Sequence, residues 1–209
     1  MSYHQHLSFI LSYIKNKPSC DILEIGIDQG LMFIPLAKKL IELNNQFSFS
    51  GVDVKVQDNV ISEIANLKNN SIKLVTENSL TFLPRMLREK QTYDIILLDG
   101  DHNYYTVTKE LEIISRLMKD DGLIIIDDYE GRWMNVDYWY STSKEPHYNN
   151  VKNMTKPIQT EKRGVHPAVD DFLSINKEWK LFRKTSEQSV VLSKVDLDKK
   201  LTLSPEVYL

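Results

Sequence analysis

The sequence predicts a doubly wound α/β fold around one mostly parallel sheet, and three observations carry that prediction. Short runs nearly continuous in Ile, Leu and Val recur along the 209 residues, as suits parallel strands covered on both faces. Segments with apolar residues at helical spacing separate the early runs, which implies right-handed crossovers between neighbouring strands. The last two runs are joined only by "SEQ", so they form an antiparallel hairpin at one edge.

Taken in order, the chain opens with "MSYHQHLSFILSYIKNKPSC", which lacks the basic start and cleavage pattern of a signal peptide. His4 and His6 are read there as terminal and uninformative. The single cysteine, Cys20, excludes an internal disulfide and a cysteine metal site, and makes a reducing cytoplasm the default setting. The first strand, "CDILEIG", turns through Gly26 and Gly30 into a helix over "LMFIPLAKKLIELNN". The second, "FSFSGVDV", ends on Asp53 and leads to a helix over "NVISEIANLKNN". The third, "SIKLVTEN", runs into "TENSLTFLP". The fourth, "YDIILLDG", ends on Asp99 with Asp101 and His102 behind it. A helix over "YTVTKELEIISRLMKDDG" follows, with Lys119 and a Gly122 stop at its end. The fifth strand, "GLIIIDDY", closes on Asp127 and Asp128. Helical periodicity then vanishes over about 129–164, where Trp133, Tyr138, Trp139, Tyr140, Pro146 and Pro157 collect. Such an insertion, rich in aromatics, reads as a lid. "HPAVDDF" starts a helix after Pro167 with Val169 and Phe172 inward, and "WKLFRKT" and "SVVLSKV" make the edge hairpin.

Residues 1–209 are therefore read as one domain. A net charge of −3 gives no footprint for nucleic acid, and no apolar stretch reaches the roughly 20 residues that span a bilayer.

Ligands of open parallel sheets sit beyond the carboxyl ends of the strands, which is where the polar residues fall. Glycines after the first strand let a backbone approach a ligand, and a helix start favours an anionic group. A dinucleotide fingerprint fails, because Asp28 and Leu31 take the second and third glycine positions and Asp28 would face a pyrophosphate. Asp53 suits hydrogen bonds to the two hydroxyls of a ribose. Asp99, Asp127 and Asp128 end neighbouring strands, so their carboxylates repel unless a cation lies between them. Oxygen ligands point to a hard ion such as Mg²⁺. Adjacent strand residues face opposite sides, so Asp127 and Asp128 share an ion only if the chain has left the strand; otherwise one caps the next turn.

The segment E-x-G-x-x-x-G over Glu24, Gly26 and Gly30 resembles the first motif of class I S-adenosylmethionine-dependent methyltransferases, which have a Rossmann-like sheet. Acidic residues are acceptable there, since that cofactor carries a sulfonium and an ammonium. "TENSLTFLP" is similar to the family's "GDS…LP" segment, which places Asn78 and Ser79 near adenine, with Asn78 in place of the usual aspartate. "LLDGDHNYYTVTKELE…LMKDDGLIIIDDY" resembles the metal-dependent O-methyltransferases, in particular the branch related to macrocin-type sugar enzymes. Catechol-type relatives differ at the positions of His102 and Asp128. The resemblance runs from about Ile22 to Tyr129 and resumes at "GVHPAVDDFL". It implies Asp99, Asp127 and Asp128 as Mg²⁺ ligands, His102 as general base, and Asp99 also beside the cofactor. Asp101 is read as the cap of the helix starting near Tyr104, with substrate contact as the alternative.

The implied reaction is methyl transfer from S-adenosylmethionine to a hydroxyl of a small molecule such as a sugar, natural product or vicinal diol. No nucleic-acid or membrane partner is expected. The acceptor pocket would come from the 129–164 insertion or from a neighbouring subunit of a homo-oligomer. His147 and His166 read as surface or packing residues. Two alternatives stand beside this. One is a metal-independent methyltransferase of nucleic-acid bases or protein side chains, whose N-P-P-Y type segment is absent after the fourth strand. The other is a catalytically silent cofactor-binding module.

Overall fold

The computed structural model describes residues 2–15, 17–43, 46–184 and 188–195. Seven strands form one sheet in the order β3-β2-β1-β4-β5-β7-β6. β1 (Ser19–Ile25), β2 (Gln46–Asp53), β3 (Ile72–Thr76), β4 (Tyr93–Leu98) and β5 (Met118–Ile126) run parallel to one another. β7 (Val190–Ser193) pairs antiparallel with both β5 and β6 (Lys180–Lys184), so the late hairpin forms one edge of the sheet. The three residues between its strands, 185–187, lie outside the described residues. The doubly wound, mostly parallel sheet is thus the one its apolar runs predicted.

Helices cover both faces. α1 (Ser2–Ile14), α2 (Phe33–Leu43) and α3 (Asp58–Asn66) bury Phe9, Ile10, Phe33, Leu36, Leu40, Val60 and Ile64 against one side. α4 (Ser79–Arg88), α5 (Tyr104–Leu117) and α6 (Val165–Ile175) bury Phe82, Leu83, Val107, Leu111, Ile114, Val169 and Phe172 against the other. With Tyr13 and Ile14 in α1 and Met86 in α4, these residues recur at three- and four-residue spacing within each helix, the stripe that holds an amphipathic helix on a sheet. None of the helices among the described residues is long and apolar enough to cross a membrane.

Three local expectations are revised. α5 ends at Leu117, and Met118 already pairs with Tyr93, so the "MKDDG" stretch opens β5 instead of finishing the helix. Lys119 explains the change: its ammonium bonds Asp94 at 2.6 Å and Asp21 at 2.7 Å, on strand neighbours rather than on helix-terminal carbonyls. α6 starts at Val165, ahead of Pro167, because proline in a first turn surrenders an N–H that has no helical partner. Residues 2–14, read only for signals, form α1; Phe9, Ile10, Tyr13 and Ile14 are the buried stripe that marks it.

Candidate active site

The carboxyl ends of β1, β2, β4 and β5 open onto two adjoining hollows that share Asp99. The larger, about 500 Å³, lies between the β1 turn, the ends of β2 and β4, and the start of α4. Its lining includes Gly26, Asp28, Asp53, Asn78, Ser79, Asp99 and Asp101. The smaller is bounded by His6, Glu24, Met32, Leu97, Asp99 and Asp127.

Gly26 is demanded by the backbone on two counts. Its φ is +87°, and a Cβ there would sit 2.0 Å from the carbonyl oxygen of Asp99. The close approach of the β1 turn to the end of β4 therefore needs glycine. Gly30 starts the next helix by accepting from Ile34 N, and packs on Val60 outside the lining of either hollow. Asp53 ties the turn down: Oδ2 accepts from the amides of Ile27 at 2.7 Å and Asp28 at 3.0 Å, and Oδ1 from that of Lys55 at 2.9 Å. Burial raises its pKa while those amides pull it down, and the net is a rise. Asp53 is therefore first a clamp on the glycine turn, facing the hollow with the lone pairs that remain.

Asn78 caps α4, its Oδ1 accepting from Leu80 N at 2.8 Å. Its Nδ2 is spent on the insertion, donating to Asn153 O and Thr155 Oγ1. Ser79 lies beside it in the lining. Asp101 does not cap α5. Asn103 does, accepting from Thr106 N at 2.8 Å, because its side chain stands one residue before the first turn. Asp101 accepts instead from Tyr140 N at 2.9 Å.

These bonds belong to a wider clasp. The 129–164 insertion has only two short 3-10 turns, yet it buries Trp139 and Tyr148 and lays Tyr140, Tyr148, Met154 and Thr155 along the larger hollow. Lys55 Nζ donates to His147 O at 2.7 Å, and the Tyr148 hydroxyl donates to Asp28 Oδ1 at 2.9 Å. Tyr138 N bonds His102 O at 2.9 Å. His147 packs on Tyr148 and His166 stacks on Tyr129, so both are packing residues.

At the ends of β4 and β5, Asp99, His102 and Asp127 each present an atom within 4.8 Å of the others, close enough to share one metal ion. His102 Nε2 lies 3.2 Å from Asp99 Oδ1 and 3.7 Å from Asp128 Oδ2. Asp128 is outside that trio, for a backbone reason. The chain leaves the strand after Ile126, and Asp128 has φ +56°. Its Oδ1 accepts from Arg132 N across the turn, hard against Gly131, where a Cβ would meet it at 1.8 Å. Asp128 thus caps the turn with one oxygen and faces His102 with the other.

Burial sets the charges. It drives the Asp99 carboxyl up to about 6; His102 opposes the rise, and Asp127 and Asp128 add to it. Asp127 is buried too, but hydrogen bonding and the nearby imidazoles outweigh that and hold it below the usual range. His102 loses by burial yet is raised overall by Asp99, Asp128 and Asp127. Its Nδ1 has no partner among the described residues. Glu24 is buried with Oε2 unpartnered among the described residues, and burial beside Asp99 and Asp53 lifts it well above the carboxylate range. Carboxylates gathered this way, short of cationic partners, fit a hard divalent ion on one side and a cationic ligand group on the other.

One site residue escaped the sequence. His6, on α1, is 5% exposed and lies at the crevice beside Asp127; His4's side chain is outside the described residues. The signal was present, since His6 shares helical spacing with Phe9, Ile10 and Tyr13 on the buried stripe.

Comparison with known proteins gives the following. Residues 23–129 match the family described as methyltransferase domain. An uncharacterized protein, R132, of Acanthamoeba polyphaga mimivirus is 22% identical over 160 residues, 71% of this chain and 66% of that protein. The O-methyltransferase from Bacillus cereus in complex with SAH superposes with a TM-score of 0.56 at 17% identity, covering 90% of this chain and 78% of that one. MycE methyltransferase from the mycinamycin biosynthetic pathway, in complex with Mg, SAH and mycinamycin VI, superposes at 0.54 and 13% identity. That match covers 90% of this chain and 48% of MycE, so the chain spans about half that enzyme's length.

Proposed function

Since the chain belongs to the methyltransferase-domain family and has the class I, S-adenosylmethionine-dependent methyltransferase fold, we propose that it is a divalent-metal-dependent O-methyltransferase acting on a hydroxyl of a small molecule. The observation that carries this reading is the meeting of Asp99, Asp127 and His102 beside a hollow floored by Gly26 and Asp53. MycE, whose complex holds Mg, SAH and mycinamycin VI, lends support by the same fold.

In this reading the larger hollow takes the adenosine end of the cofactor between Asp53, Asn78 and Ser79. Glu24 and Asp99 face its cationic end. Asp99, Asp127 and the second oxygen of Asp128 would hold the ion, which would make an acceptor hydroxyl such as that of a vicinal diol more acidic. His102 receives the hydroxyl proton at Nε2, the nitrogen facing the carboxylates. The single buried thiol, Cys20, suits a cytoplasmic setting. Label from methyl-labelled S-adenosylmethionine should appear as an O-methyl product of a vicinal-diol acceptor. Transfer only to nitrogen, or to no hydroxylated acceptor, would contradict the reading.

The 129–164 insertion is proposed as the lid over this site within a single domain. Its clasp to the site is made of hydrogen bonds to loop residues, the kind of contact that opens locally. Protease should cut within 129–164 more slowly when S-adenosylhomocysteine and an acceptor are bound. Equal rates with and without them would mean that the segment takes no part in closure.

A further inference from the structure

The smaller hollow contains an arrangement that the proposed reaction does not itself require. His6 on α1 and Ser189, next to β7, come from opposite ends of the chain and meet at Asp127. Both lie outside residues 23–129, the part that matches the family. Both are buried, at 5% and 1% exposure.

The proton count fixes the direction of the chain of bonds. The Ser189 hydroxyl has one proton, and it is donated to Asp127 Oδ1. Towards His6 Nε2, 3.1 Å away, the Ser189 oxygen can then only accept. His6 must therefore carry its proton on Nε2. His6 itself is 3.9 Å from Asp127 Oδ1, beyond a direct hydrogen bond, so the hydroxyl is the link. Resting on the metal-binding reading above, we infer that His6 and Ser189 are positioning residues for Asp127. They fix the rotation of its carboxylate and aim it at the ion shared with Asp99. The consequence is that α1 and the β6–β7 hairpin are parts of the active site, not only its packing.

The test is Mn²⁺ binding, read by the paramagnetic resonance of the free ion, on full-length wild type, Ser189→Ala, His6→Phe, His6→Gln and the double variant Ser189→Ala/His6→Phe. Supports of metal ligands are worth about 10–100-fold in affinity, so Ser189→Ala and His6→Phe should each weaken Mn²⁺ binding by roughly tenfold or more. His6→Gln, which keeps an N–H donor, should restore most of it. Because His6 acts through Ser189, the double variant should bind no worse than Ser189→Ala alone. S-adenosylhomocysteine affinity should stay unchanged in all of them, which separates positioning from loss of fold. Wild-type Mn²⁺ affinity in Ser189→Ala, or additive losses in the double variant, would overturn this inference and leave the metal reading standing. Failure of the wild type to bind Mn²⁺ would overturn both.

Discussion

His102→Ala is expected to lower kcat at pH 7 by about 10²–10⁴-fold, the usual contribution of a placed general base. The imidazole is three residues beyond Asp99, its Nε2 is the nitrogen turned to the carboxylates, and its Nδ1 is buried with no partner among the described residues. A base must be neutral at the accepting nitrogen. Burial lowers the pKa of His102, but Asp99 and its neighbours raise it further. In the wild type the rate should therefore climb as pH rises through that raised value. The variant should lose this limb and recover rate only where hydroxide can take the proton. Binding of the cofactor should be little changed, because His102 is outside the lining of the larger hollow. Near-normal kcat at pH 7 would show that no protein base is needed.

Asp99→Asn should move activity and stability in opposite directions. Asp99 borders both hollows and belongs to the trio that can share an ion. Losing several kcal/mol of charge stabilisation there corresponds to about 10³-fold or more in kcat/KM. Stability follows from linkage. The folded pKa of Asp99, about 6, lies above the ordinary carboxylate value, so the metal-free protein loses stability as pH rises through about 6. Asparagine has no such loss. The metal-free variant should therefore melt higher than wild type above that pH, by on the order of 1–3 kcal/mol, and the gap should close in acid. A lower melting temperature at pH 8 would contradict the assigned charge state of Asp99.

The sheet and its carboxyl-end chemistry were legible because each rests on local sequence. Strands buried on both faces need nearly continuous Ile, Leu and Val, and β1, β4 and β5 have them. Asp53, Asp99 and Asp127 border the crevice as expected because they stand at strand ends. What was hidden depends on chain segments distant in sequence. Nothing local to Asp101 tells it from Asn103 as a cap; the insertion decides, by bringing Tyr140 N to Asp101. The approach of His6 to Ser189 spans a separation of 183 residues, which no spacing encodes. Asp128 was placed with its neighbour, with capping of the next turn as the alternative, and only the folded turn shows that one oxygen accepts from Arg132 N.

The central claim is that the Asp99–Asp127 crevice holds a divalent ion needed for transfer to a hydroxyl. It is tested most directly by the labelled-methyl assay on protein stripped of divalent ions, before and after Mg²⁺ is returned. O-methyl product should be lost on stripping and return fully with Mg²⁺, while S-adenosylhomocysteine binds equally well throughout. Product formation that continues undiminished in the stripped protein would contradict it.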